Sequence, residues 1–319
     1  MYRRAQRTTT RTTLLVALAV VFALAIPLTG CTTAGPVAEE TAADSPVSQE
    51  AFPVTVTDDA GRTVTVESEP QRIVSLAPSN TEIVAALGLL DRLVGVTSFD
   101  DYPPEVTEID VVGDFVGPNL EAVAAAEADL VLATTGVQAD VIVQLEELGA
   151  VVIAVDPANL EGLFASIEMV GSALGASDAA DALVSSMRSD LDAITEAVGD
   201  AEPVPCFLEI AQDPLFTAGP GTLLDDLISA AGGRNVVTQE GYVGYSLEQL
   251  VTDDPAVYLA TLGSMSDPAD LASRPGYAGL AAVESGRVHV LEDNLVSRPG
   301  PRVVEGVRQI AEALHPDAF

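Results

Sequence analysis

Aromatic rings outside regular structure are the residues of this chain best suited to hold something. Beyond the first thirty residues there are twelve Phe and Tyr, and six of them, Phe99, Tyr102, Phe115, Phe216, Tyr242 and Tyr245, fall in segments that read as loops. One ring is ordinarily packing material, but six in loops around one gap make a platform for a large flat or apolar ligand. Polar partners are fewer. Ala77-Pro78-Ser79-Asn80 and Ala218-Gly219-Pro220-Gly221-Thr222 each lead from a strand into a helix, where unpaired N–H groups can receive an anion or a carbonyl; the second reads equally as a plain turn. In Ser297-Arg298-Pro299-Gly300-Pro301-Arg302 the prolines stiffen a loop ahead of the last helix. That loop either turns Arg298 toward the gap or leaves Arg298 and Arg302 to pair with local acids.

Residues for catalysis are missing from this pattern. His289 sits in a strand and His315 near the C-terminus, so no spaced pair of imidazoles is offered to zinc or manganese. Nothing places His289 beside a serine and an acid, and no GxGxxG follows a strand. The expectation is a binding protein, with no enzyme activity and no resident cofactor or metal.

The elements that would position these loops alternate. Residues 177–198 carry apolar side chains at Ala180, Leu183, Val184, Met187, Leu191, Ile194 and Val198, steps of three and four that mark one face of a helix. Ser177 suits the N-cap, Gly199 the stop, and the helix would run roughly 33 Å at 1.5 Å per residue. On its N-terminal side a hairpin at 53–66 turns at Asp59-Ala60-Gly61. Strands follow at 72–76, 93–96, 130–133 and 151–155, with helices at 79–87, from 119, 141–148 and 160–174. On its C-terminal side come strands at 206–210, 257–260 and 287–291 and helices at 222–231, from 246 and at 301–314. Strands separated by single helices make parallel sheets with helical covers, so the fold class is α/β. A repeat supports two lobes on one plan: Asn119-Leu120-Glu121 leads to Leu132-Ala133-Thr134 as Ser246-Leu247-Glu248 leads to Leu259-Ala260-Thr261, with every pair offset by 127 positions. The expected divisions are 53–176, 177–199 and 200–319.

The first thirty residues are a leader. Arg3, Arg4, Arg7 and Arg11 precede an apolar run at 14–26, too short for a membrane span of about 20 residues and laid out like a secretory signal. The run ends in Leu28-Thr29-Gly30-Cys31, which resembles the lipobox of bacterial lipoproteins, with Cys31 as the acylated residue. Residues 31–52, rich in Ala, Thr, Pro and acid, then form a disordered tether. Cys206, in an apolar strand, is expected to be core. From Cys31 onward 48 carboxylates face 10 arginines and no lysine, a net charge of 38 negative. Nucleic acid is thereby excluded as a partner.

Residues 72–82 (RIVSLAPSNTE) and 95–104 (GVTSFDDYPP) resemble the opening of the cobalamin and ferric-siderophore substrate-binding proteins of ABC importers. The similarity runs from about 52 to 314 and includes the two Leu-Glu helix starts and Arg298-Pro299-Gly300-Pro301-Arg302. It implies a class III periplasmic-binding-protein architecture: two Rossmann-like lobes, a long rigid bridging helix, a shallow cleft and little closing motion. It implies an ABC permease and its ATPase as partners, with Glu121 and Glu248 each meeting permease arginines. It also implies a monomer tethered by lipid to the outer face of the cell membrane. Phe115, Phe216 and Tyr242 match positions where the cobalamin binders line their cleft with aromatics; the lack of any Trp departs from them. An acidic protein repels polyanionic ferric catecholates. The expected ligand is therefore cobalamin or a related corrinoid, with a ferric hydroxamate or haem as the alternative and a non-transporting sensor as a remoter one. Pro78, Ser79, Asn80, Phe99, Tyr102, Phe115, Phe216, Tyr242, Tyr245 and Arg298 form the expected binding set.

Overall fold

Successive residues of the main strands feed different cores, and this alternation decides the architecture. The computed structural model describes residues 52–319; the leader, Cys31 and nearly all of the tether lie outside the described residues. A hairpin of β1 (Val54–Thr57) and β2 (Thr63–Val66) comes first, antiparallel, with Gly61 at φ 73° in its turn. Buried Asp58 anchors it by accepting from the N–H groups of Ala60, Arg62 and Ala154 and from the Arg62 guanidinium. Next are β3 (Ile73–Ser75), α1 (Pro78–Ala86), β4 (Leu93–Gly95), α2 (Leu120–Ala125), β5 (Leu130–Ala133), α3 (Ala139–Glu147) and β6 (Val152–Ala154). Their strands form one parallel sheet ordered β4-β3-β5-β6. Ile73, Leu130, Leu132 and Ile153 enter one apolar cluster, while Val74, Val131, Val152 and Ala154 enter another beneath α2 and α3. Both faces are covered, as a parallel sheet requires.

Two helices then run back to back. α4 (Leu160–Leu174) ends at Gly175, φ 71°, and the Ala176 N–H returns to the Gly171 carbonyl. α5 covers Ser177–Val198, the full predicted span, burying Ala180, Val184, Met187 and Ile194. Ser177 is its first helical residue and caps nothing; the cap position is Ala176, which offers no side-chain oxygen, so the backbone return from α4 replaces the predicted cap.

The second half repeats the first and adds a small sheet. It comprises β7 (Val204–Glu209), β8 (Ala211–Gln212), β9 (Leu215–Ala218), α6 (Leu223–Ala230), β10 (Gly233–Asn235), β11 (Tyr242–Gly244), α7 (Leu247–Asp253) and β12 (Val257–Thr261). It closes with α8 (Asp270–Ser273), α9 (Ala281–Glu284), β13 (Val288–Leu291), α10 (Asp293–Val296) and α11 (Val303–Leu314). The parallel sheet runs β10-β7-β12-β13. In both sheets the first parallel strand therefore lies between the second and the third, with the fourth at the edge. The antiparallel sheet β11-β9-β8 was not expected from the sequence; it removes Phe216 and Tyr242 from loops and puts them on strands. Buried Cys206 is core, its thiol pushed up to about 12 by burial.

The inner faces of the two sheets meet the same apolar layer. Leu132 and Ile167 from the first half, Val184, Met187 and Ile194 from α5, and Leu208, Leu227, Leu259, Val307 and Ile310 from the second belong to a single cluster. α5 packs on α4 and also on α6 and α11. α4 and α5 approach closely at Gly171, where an added Cβ would stand 2.4 Å from that of Ala180. Gly171→Ala would favour the helix by about 1 kcal/mol, but overpacking costs about 1–3 kcal/mol. The variant is expected to lower the urea midpoint, and the pair Gly171→Ala with Ala180→Gly to recover it.

Candidate functional site

Parallel order sends every strand's following loop to the same edge of its sheet, the edge where open α/β sheets bind ligands. Pro78, Ser79 and Asn80 follow β3; Phe99, Tyr102 and Phe115 follow β4; Phe216 follows β7, Tyr242 follows β10 and Arg298 follows β13. The helices after these loops run back along the sheets, so Glu121 and Glu248 sit at the same edges, both exposed. Each is the second residue of its helix. Asn119 caps α2 by accepting from the N–H groups of Glu121 and Ala122, and Ser246 caps α7 by accepting from Gln249. The repeat in the sequence is thus a repeat in capping as well as in order.

Phe99 and Tyr102 are 57% and 44% exposed, large apolar surfaces left in water. A turn holds them out. The buried Asp100 carboxylate accepts from the Thr97 N–H at 2.9 Å and from its hydroxyl at 2.5 Å. Burial raises the Asp100 pKa, opposed by the hydrogen bonds from Thr97. Phe216 and Tyr242 share the outer face of the small sheet: Phe216 pairs with Gly244, which bears no side chain, and Tyr242 lies two residues from that glycine. Tyr242 is 54% exposed. Phe115 is half-buried, its carbonyl taken by Gln138.

Three expected binding residues are buried. Tyr245 is buried, tilted against Phe207 at 5.3 Å, and donates its hydroxyl to Asp253; burial and that carboxylate raise its pKa. It is core because Val243 and Tyr245 alternate inward while Tyr242 and Gly244 face out. Ser79 and Asn80 are buried within α1, so only Pro78 of that trio is partly exposed. The Gly219-Pro220-Gly221 segment is a closed turn: Thr222 caps α6, and Asp225 and Asp226 fill its first turn, which repels an anion.

Arg298 belongs to neither half alone. Its guanidinium donates to Glu82 at 3.1 Å, to Asp101 at 2.6 Å and to the Phe99 carbonyl at 3.2 Å, all in the first half. Arg302 reaches the same Glu82 oxygen at 3.4 Å and lies 4.0 Å over the Tyr102 ring, while Asn294 donates to Asp101 at 3.1 Å. Arg298 does pair with acids, but they are not the local ones of the sequence reading: Glu82 and Asp101 come from the first half, and only Arg302 has a local acid nearby, Glu305 at 3.9 Å. Burial raises the Glu82 pKa against the pull of both arginines.

Two supporting side chains escaped the sequence reading. Gln138, fully buried, accepts from the Thr134 N–H at 2.9 Å and donates to the Leu76 and Phe115 carbonyls, both at 2.7 Å, tying three loops of one edge together. Glu209, also fully buried, accepts from Tyr258 and Arg274 at 2.5 Å and from Ser264 at 2.7 Å beyond β7. An acid closing the apolar run Cys206-Phe207-Leu208 was the available signal for Glu209; for Gln138 there was none. Gln138→Leu leaves three backbone groups without partners and is expected to cost about 3 kcal/mol in urea unfolding, with faster hydrogen exchange at Thr134.

Residues 73–295 match the periplasmic binding protein family. An ABC transporter substrate-binding lipoprotein of Bacillus subtilis is 38% identical over 92% of this chain and 95% of its own. A cobalamin-binding protein of Halobacterium salinarum is 32% identical over 93% of this chain and 83% of its own. Among solved structures, a periplasmic haem-binding protein of Pseudomonas aeruginosa superposes with a TM-score of 0.70 at 31% identity, covering 78% of this chain and 94% of that one. The parallel α/β halves, the loops gathered at their carboxyl edges and these matches together make the chain a member of the periplasmic binding protein family, an extracytoplasmic substrate-binding protein of an ABC transporter and not an enzyme.

Proposed function

We propose that this chain captures cobalamin or a related corrinoid between its two halves and hands it to an ABC permease. The observation that carries the ligand reading is the set of Phe99, Tyr102 and Tyr242, all exposed at carboxyl-edge loops or strands, with Phe115 and Phe216 half-buried at the same edges. Flat apolar rings suit a macrocycle, and a strongly negative surface suits a ligand with little negative charge of its own. The cobalamin-binding relative supports the same ligand class. Haem is the second reading, favoured by the haem-binding structural neighbour; a ferric hydroxamate is compatible with the same charge argument.

In this reading residues 53–176 and 200–319 act as lobes and 177–199 as the rod that sets their spacing, with little closure on binding. Cys31 carries the lipid anchor and residues 31–52 the tether that lets a monomer reach its permease. Glu121 and Glu248, equivalent in capping and exposure, meet permease arginines. A helix-dipole role, worth about 0.3–1 kcal/mol, accounts for an acid in either first turn singly; permease docking accounts for the pair.

Incubating the purified chain with cyanocobalamin, haemin and ferric hydroxamate, washing it and recording a visible spectrum tests the ligand. Retention of the cobalamin bands is expected, and retention of haem alone would replace the corrinoid reading. Reversing both Glu121 and Glu248 to Arg is expected to abolish uptake in cells while cobalamin affinity changes less than about twofold; lost affinity would remove the docking assignment.

A further inference from the structure

Glu82 is fixed by nothing in its own helix. It lies in the middle of α1, 3% exposed, and one of its carboxylate oxygens receives both Arg298 and Arg302 across the junction of the halves. Asp101 takes a second bond from Arg298 at 2.6 Å. Two guanidiniums therefore face these two carboxylates, and the exposed Glu305 carboxylate stands 3.9 Å from Arg302 Nε on the outer side. The arginines flank Pro299-Gly300-Pro301, and this turn seats directly on α1: a Cβ at Gly300 would lie 3.4 Å from Glu82 Oε2 and 3.5 Å from the Ser79 carbonyl. The same two arginines touch the exposed aromatics, Arg298 through the Phe99 carbonyl and Arg302 through the Tyr102 ring. The clasp is thus part of the surface that would face a ligand.

We propose that Glu82 is a charge-selectivity residue: by occupying Arg298 and Arg302 from the opposite half it withholds both guanidiniums from an anionic ligand, so that the cleft takes electroneutral chelates and disfavours those bearing carboxylates. This rests on the reading of the aromatic edge as the ligand site. Guanidinium is the side chain best matched to a carboxylate, pairing through two parallel N–H bonds. Left without Glu82, two such forks beside Phe99 and Tyr102 would form a carboxylate site next to an aromatic platform. With Glu82 in place, an incoming carboxylate must displace a buried partner already made, and it meets the repulsion of Asp101 as well.

Glu82→Gln keeps the shape and removes the charge. Haemin, with two propionates, and cyanocobalamin, which has none, are titrated into the full chain and the variant at pH 7.5. The variant is expected to bind haemin about tenfold tighter or better, with cyanocobalamin held within about threefold; haemin affinity that stays level, or falls alongside cobalamin, overturns the proposal. Asp101→Asn, at a carboxylate 53% exposed, covers the case in which Glu82→Gln does not fold, with a smaller gain for haemin expected in the same direction. A second arm needs no ligand. Phenylglyoxal labelling with peptide mapping is expected to spare Arg298 and Arg302 in the parent and to modify them about tenfold faster in the variant. Equal rates in both proteins overturn the clasp. Should the parent bind neither haemin nor cobalamin, the ligand reading fails, and the labelling arm still decides whether Glu82 withholds the arginines.

Discussion

The apolar layer shared by the two halves is the constraint on which the rest depends. Each parallel sheet must cover both faces, and here the inner face of each is covered by helices that also touch the other half's helices. Leu132 and Leu259, on different sheets, belong to one cluster through α4, α5, α6 and α11. A fully buried aliphatic or aromatic side chain contributes about 1.5–3 kcal/mol, and dozens lie in this layer. The polar clasp of Glu82, Asp101, Arg298 and Arg302 is energetically minor beside it, since the gain from a buried ion pair is largely spent on desolvation. The layer sets how far apart the carboxyl edges stand. The clasp adjusts how two particular loops meet at that edge.

This division of labour explains why the carboxyl-edge loops can carry exposed rings. Phe99 is held out by Asp100 and Thr97, Tyr102 is overlain by Arg302, and Phe216 and Tyr242 ride on a three-stranded sheet whose other side packs into the second half's outer core. Each ring is mounted on a local scaffold of hydrogen bonds, so its exposure does not depend on a neighbouring loop folding over it. Pre-set aromatic surfaces of this kind lose little side-chain entropy on contact with a rigid ligand. The net negative charge works at longer range, repelling polyanions before they reach the edge.

The parts of the fold legible in the sequence were those with one unbroken period. Residues 160–174 and 177–198 show the 3.6-residue rhythm over four turns or more, and 130–133 is an apolar run of the kind buried on both faces; all three match the observed elements residue for residue. The small sheet was illegible because its strands are two to four residues long and straddle Gly and Pro. Tyr245 was misplaced for the same reason: three residues from Tyr242, it could be sorted inward only by knowing that β11 exists. Gln138, Glu82 and Glu209 each depend on partners distant in sequence, up to 220 positions away, and their roles come from tertiary placement that no local pattern encodes. The Glu121 and Glu248 pair was legible through the 127-residue offset, which both capping geometry and strand order reproduce.

A shared core makes a mechanical demand: neither half can melt while the other stays folded. The chain has no Trp, and four of the five tyrosines after the leader lie in the second half, so tyrosine fluorescence reports chiefly on that half while far-UV circular dichroism reports on all the helices. Urea unfolding followed by both signals is predicted to give superimposable single transitions. Two separated transitions, with fluorescence and dichroism out of step, would mean that the halves have independent cores and that the layer joining them does not set the geometry of the edge.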